Sequence, residues 1–95
     1  MRVVAGPGEG APRFAMRVFE LEPGNSTPYH THAWEHEVFI LYGTGAARTE
    51  KGESSVNEGD ALFVPPAEKH CFINTGDGPL RFICVVPLFD GKMPG

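Results

Sequence analysis

Cysteine is scarce in this chain: only Cys71 and Cys84 occur in 95 residues. Two such residues build no disulfide framework, and a reduced, cytoplasmic setting is expected. Positive charge is scarce as well. Eight Lys and Arg stand against 12 Asp and Glu, a net charge of −4. No basic patch offers itself to nucleic acid, so no such partner is expected. No apolar run approaches the ~18 residues that spanning a membrane needs. The start, Met1 to Pro7, has one basic residue and almost no apolar run, so no signal peptide is expected there. A phosphate-binding Gly-x-x-x-x-Gly-Lys-Ser/Thr loop is missing, and so is a Gly-x-Ser-x-Gly nucleophile elbow. Nucleotide hydrolysis and serine-hydrolase chemistry have nothing to stand on.

Uninterrupted helix-forming sequence is lacking too, because nine prolines and 12 glycines punctuate the chain. At this length one domain over 1–95 is expected. Turn signals recur at Glu22 to Asn25, Gly43 to Gly45, Lys51-Gly52, Asn57 to Asp60, Val64 to Pro66 and Thr75 to Pro79. Between them lie short runs rich in β-branched and aromatic residues. Strands are predicted over 14–22, 29–31, 38–41, 46–50, 54–57, 61–64, 70–74 and 80–87. Such spacing argues for an all-β sandwich or barrel over 13–87. Residues 1–12 and 88–95 read as a flexible arm and a tail. Val38 to Leu41 and Phe82 to Val86 are apolar on both faces. That suits a strand covered on both sides, inside a sandwich or at the interface of a homodimer.

Three of the four histidines fall within seven residues: His30, His32 and His36. In a strand, alternate side chains share a face, which brings His30 beside His32. Two protonated imidazoles so close would repel. A bound cation removes the problem, because neutral imidazole is a common ligand of transition metals.

The pair sits in a longer frame. Gly24 is followed after five residues by His30-Thr31-His32, after three more by His36 and after six more by Gly43. A second frame runs from Gly59 over five residues to Pro65, then to His70 and, three residues on, Asn74. Together the frames resemble the two motifs of the cupin superfamily. They cover a little over half the chain. The resemblance implies a cupin-type antiparallel β-barrel, a double-sheet jelly roll, with a metal site inside. Two departures stand out. His36 occupies the usual Glu position, and Ala67 occupies the usual Gly position after Pro65.

Glu37, beside His36, could fill the same slot, but the count to Gly43 favours His36, and adjacent strand residues face opposite ways. The likeness is then to small bacterial cupins whose metal is held by four histidines, here His30, His32, His36 and His70. One divalent transition metal per chain is implied, with Mn or Fe favoured and Ni, Cu, Co or Zn compatible with nitrogen donors. Four neutral ligands leave the ion's charge uncancelled, which favours an anionic ligand. The implied function is metal-dependent chemistry of an oxygenase type on a small organic molecule. The alternatives are a non-redox sugar or keto-acid isomerase or lyase, and a non-catalytic binding module.

Around the metal, Glu37, Arg17, Trp34, Phe72, Phe82 and Cys84 are the candidate pocket residues. An inner wall of Met16, Phe82, Cys84 and Val86 would suit an apolar substrate. Arg17 or Glu37 facing inward would suit a keto acid or a sugar. Arg17 can point either way on its strand. Trp34 can pack the loop between ligands or wall the pocket.

Overall fold

The computed structural model describes residues 1–93. The described residues form eight strands and no α-helix. The strands are β1 (Arg2–Ala5), β2 (Phe14–Leu21), β3 (His36–Tyr42), β4 (Thr44–Thr49), β5 (Gly52–Asn57), β6 (Ala61–Val64), β7 (His70–Asn74) and β8 (Leu80–Pro87), with a short 3-10 turn over Pro7–Glu9. They build two antiparallel sheets, one ordered β1-β2-β8-β3-β6 and one ordered β5-β4-β7. This is the expected double-sheet jelly roll. No helix is long and apolar enough to cross a membrane.

Alternation decides what lies between the sheets. On β8, Leu80, Phe82, Cys84 and Val86 are buried, while Arg81 is exposed. On β3, His36, Val38 and Ile40 are buried, and Glu37, Phe39 and Leu41 are exposed. Val56, Val64, Phe72 and Ala15 complete the inter-sheet core. Burying each of the larger apolar side chains contributes roughly 1.5–3 kcal/mol.

Two motif residues have structural work. Gly43 turns β3 into β4 at φ +92°, and a Cβ there would collide with the Pro79 carbonyl. Asn74 is buried and fully bonded. Its Nδ2 donates to the Leu21 and Gly78 carbonyls at 2.8 Å each, and its Oδ1 accepts the Gly76 N–H at 2.9 Å. That staples the end of β2 to the β7–β8 turn, and it satisfies every polar atom the burial would otherwise penalise.

Four expectations need correction. Residues 2–5, placed in a loose arm, form β1, an edge strand paired with β2. The strand predicted over 29–31 is a single bridge, in which His30 and His70 exchange backbone hydrogen bonds of 3.0 and 3.1 Å. Pro28 brings no N–H to extend that ladder. Met16 lies on the outer face, 38% exposed, because its neighbours Ala15 and Arg17 take the inner one. In the tail, Leu88 and Met93 pack on the core and Phe89 pairs with Lys92. Residues 94–95 lie outside the described residues.

Candidate metal centre

One end of the barrel opens into a cavity of about 240 Å³ lined by all four histidines, Arg17, Phe19, Thr27, Pro28, Phe72, Phe82 and Cys84. Strand β3 delivers His36, β7 delivers His70 and Phe72, and β8 delivers Phe82 and Cys84. His30 and His32 arrive on the loop before β3, held against β7 by the His30–His70 bridge. The Ala67 N–H donates to the His32 carbonyl at 2.6 Å, which ties the loop before His70 to the segment carrying His32.

Ring nitrogens of His32, His36 and His70 all lie within 4.8 Å of one another. The ring centroids are 4.9 Å apart for His32 and His36, and 5.4 Å for His36 and His70. That three-nitrogen set does not include His30, whose ring packs edge-on against His32 at 4.2 Å. Backbone carbonyls set two tautomers. His70 Nδ1 is 2.8 Å from the Glu68 carbonyl, and His30 Nδ1 meets the Pro28 carbonyl. A carbonyl only accepts, so Nδ1 of each carries the proton and Nε2 keeps its lone pair.

Burial is the largest cause of a drop in the His36 pKa to about 4, reinforced by His32, His70, Arg17 and His30. Burial also lowers that of His32, with His30, His70 and Arg17 adding to it. At neutral pH both are neutral donors. His36 Nδ1 lies 3.2 Å from Cys84 Sγ, and its Nε2 is buried with no partner. With Nδ1 donating to the sulfur, Nε2 holds a buried lone pair, which is costly unless something accepts it. A divalent transition ion fits both the donor set and that orphaned atom.

The surrounding residues sort clearly. Arg17 points inward, in register with Cys84 on β8, and its Nη2 donates to Cys84 Sγ at 3.5 Å. Burial pushes the Cys84 thiol pKa up, against the pull of Arg17. Phe72, Phe82 and Cys84 line the cavity as expected, whereas Val86 is fully buried core away from it. Glu37 faces away, on the outer side of the sheet beside Phe63 and Val85. Its pKa is raised, first by burial and then by Glu35. Trp34 does not line the cavity. It stacks on His32 at 4.5 Å with Phe89 beyond it, and so packs the loop.

Sequence reasoning missed Phe19, Thr27 and Pro28. Period two from Arg17 would have found Phe19. Thr27 and Pro28 follow from the loop path, which carries no local signal.

Residues 17–86 match the family model of the cupin domain. An oxalate-binding protein of Thermotoga maritima is 34% identical over 70 residues, covering 73% of this chain and 58% of the relative. A polyketide cyclase from Streptomyces resistomycificus superposes with a TM-score of 0.85 at 36% identity, over 90% of this chain and 62% of that one. A sugar phosphate isomerase from Silicibacter pomeroyi does so at 0.78 and 25% identity, over 84% and 54%. The chain thus spans little more than half the length of these proteins.

Proposed function

This chain belongs to the cupin domain family, and from that premise we propose that it is a metal-dependent, oxygenase-like enzyme for a small organic molecule. His30, His32, His36 and His70 would hold one divalent transition metal, with Mn or Fe favoured over Ni, Cu, Co or Zn. The observation that carries the reading is the orphaned Nε2 of His36. It belongs to a cavity that His30, His32 and His70 also line. When bound, such an ion supplies Lewis acidity and, if redox-active, electron transfer.

The chain's own residues do the rest. The Glu68 and Pro28 carbonyls orient His70 and His30. Trp34 props His32 by stacking on it. Phe19, Phe72 and Phe82 keep the cavity wall dry. Among the described residues no carboxylate lines the cavity. A general base of that type is lacking, which favours oxygen chemistry over isomerisation. The isomerase or lyase reading keeps one supporting observation, the inward guanidinium of Arg17.

Elemental analysis of chelator-free protein, with electron paramagnetic resonance under nitric oxide, tests the reading. About one Mn, Fe or Cu per chain and a spectrum altered by nitric oxide are expected. A spectrum that ignores nitric oxide, or a metal-free protein, overturns the oxygenase assignment.

A homodimer is part of the same proposal. The outer face of the five-stranded sheet presents Met16, Val18, Ile83, Val85, Phe39 and Phe63 side by side through the β2–β8–β3–β6 register. Phe63 is 59% exposed and Phe39 44%. A largely apolar face of this kind, interrupted by Glu37 between Val85 and Phe63, suits a self-complementary two-fold contact. Light scattering should give twice the 10.3 kDa chain mass, and Phe39→Glu should halve it; a wild-type monomer at micromolar concentration refutes the pairing. Both cysteines are free and buried, which supports the cytoplasmic setting.

A further inference from the structure

We infer that Arg17 is an anion receptor, and that the cavity takes a small planar organic carboxylate or enolate with its charged oxygens between Arg17 and the histidine cluster. The inference deepens the metal-site reading and rests on it for the second contact.

Among the described residues no acid balances the charge of Arg17. A guanidinium cannot be deprotonated in a protein and offers five N–H donors. Arg17 accounts for one, and that donor reaches only a thiol sulfur, 3.5 Å away. Its Nε is buried without any partner. Among the described residues Arg17 makes no ion pair. Two other arginines on strands show the contrast. Arg48 pairs with Glu53 and Arg81 with Glu20, both on the exposed surface. Arg17, the arginine that lines the cavity, has no such acid among the described residues. A half-buried cation whose Nε is shut off from water is retained where a ligand completes it.

The lining narrows the ligand. Every charged or titratable group facing Arg17 in the cavity is a histidine or Cys84. Negative charge must therefore come from the occupant. Phe19 lies under the guanidinium at 5.2 Å and stacks on Phe82 with an interplanar angle of 8°. Phe72 adds a third ring, 5.0 Å from Phe82. These are walls for a flat, apolar body. Thr27, whose hydroxyl oxygen accepts the Phe72 N–H, is the one hydroxyl or amide side chain in the lining, a sparse set for the many hydroxyls of a sugar. About 240 Å³ is below the roughly 300–1,000 Å³ of drug-sized pockets. An aromatic or short conjugated acid meets each condition, because its planar anion matches the guanidinium fork.

Isothermal titration calorimetry on zinc-loaded protein tests this with benzoate against its neutral isostere benzamide, in wild type, Arg17→Met and Arg17→Lys, with zinc content measured for each. Wild type is expected to bind benzoate at least ~30-fold more tightly than benzamide. Arg17→Met should lose that preference at unchanged zinc content, and Arg17→Lys should keep part of it. The melting temperature gives an independent readout. Removing a half-buried charge with no acid beside it should leave ligand-free Arg17→Met melting at or above wild type, whereas a structural role would lower it. Absence of benzoate binding to zinc-loaded wild type, or equal binding by Arg17→Met with full zinc, overturns the inference. If the chain takes up no metal, the metal-site reading fails by itself. The same benzoate–benzamide comparison on metal-free protein then decides the role of Arg17, a retained preference lost in Arg17→Met upholding it and no preference refuting it.

Discussion

Replacing Ala67 by glycine should stabilise this protein, against the usual direction of an alanine-to-glycine change. Ala67 sits at φ +65°. In that region the Cβ crowds the following carbonyl, at a cost of roughly 1–2 kcal/mol for an L-residue. It cannot relax away freely, because its N–H donates to the His32 carbonyl. Its methyl group is exposed, so removing it forfeits little burial. Glycine removes the steric cost but frees the unfolded chain, which returns about 0.4–1 kcal/mol. The balance is a gain of about 0.5–1 kcal/mol. For a 95-residue domain each kcal/mol moves the melting temperature by roughly 4–8 °C, so a rise of about 2–8 °C is expected. Calorimetry of the metal-free protein in chelator measures it. Ala61→Gly is the control: on β6, opposite Phe39, the same change should cost about 0.5–1 kcal/mol. An Ala67→Gly protein that melts at or below wild type refutes the reasoning.

His36→Ala should strip the metal from the purified protein, whereas Glu37→Gln should retain it; the opposite ranking in an elemental assay would return the fourth ligand position to the carboxylate. Metal-free protein should be at full stability above the ordinary His pKa of 6.5 and lose it as pH falls toward 4. The unfolded chain takes up the His36 proton over that window while the folded one refuses it. The shift corresponds to at most about 3 kcal/mol, nearer 2 once solvent at the cavity mouth screens the neighbouring charges. Urea melts of wild type and His36→Gln isolate that contribution, and parallel pH profiles for the two would assign it elsewhere. Asn74→Ala leaves the Leu21 and Gly78 carbonyls and the Gly76 N–H unpaired. A loss of about 3 kcal/mol in urea unfolding is expected, and a loss under about 1 kcal/mol would show that water replaces the amide.

The choice between His36 and Glu37 was legible because two constraints bracket it. Gly43 is fixed by its collision with Pro79, and the strand leading to it alternates from His36 to Leu41 before an irregularity at Tyr42. Counting back from that glycine puts His36, Val38 and Ile40 inside and Glu37, Phe39 and Leu41 outside, as observed. The direction of Arg17 was not legible. On β2, Phe14, Met16 and Val18 are as apolar as Ala15 and Phe19, so no polar face marks the outside. The outer face of the sheet is itself apolar, and that erased the period-two signal. Strand β1 was hidden for another reason. Four residues cannot show a period, and the partner that orders them lies more than ten residues ahead. The segment at 29–31 carried the right residues for a strand, but only one bridge forms after Pro28.

The distribution of unmet polar atoms separates site from scaffold more sharply than any motif. Among the described residues, the buried side-chain polar atoms without a partner are Arg17 Nε, Trp34 Nε1 and His36 Nε2. Arg17 and His36 line the cavity, and Trp34 stacks on a histidine that does. Asn74, equally buried at the opposite end of β7, satisfies all its bonding groups. Each orphaned atom costs roughly 1–3 kcal/mol, a large fraction of the stability of so small a domain. A fold that staples one end completely and leaves the other deficient concentrates its cost where a ligand can repay it. Occupation of the cavity should therefore raise thermal stability as well as enable chemistry. Melting with and without added zinc measures that link directly, and an unchanged melting temperature at saturating zinc would break it.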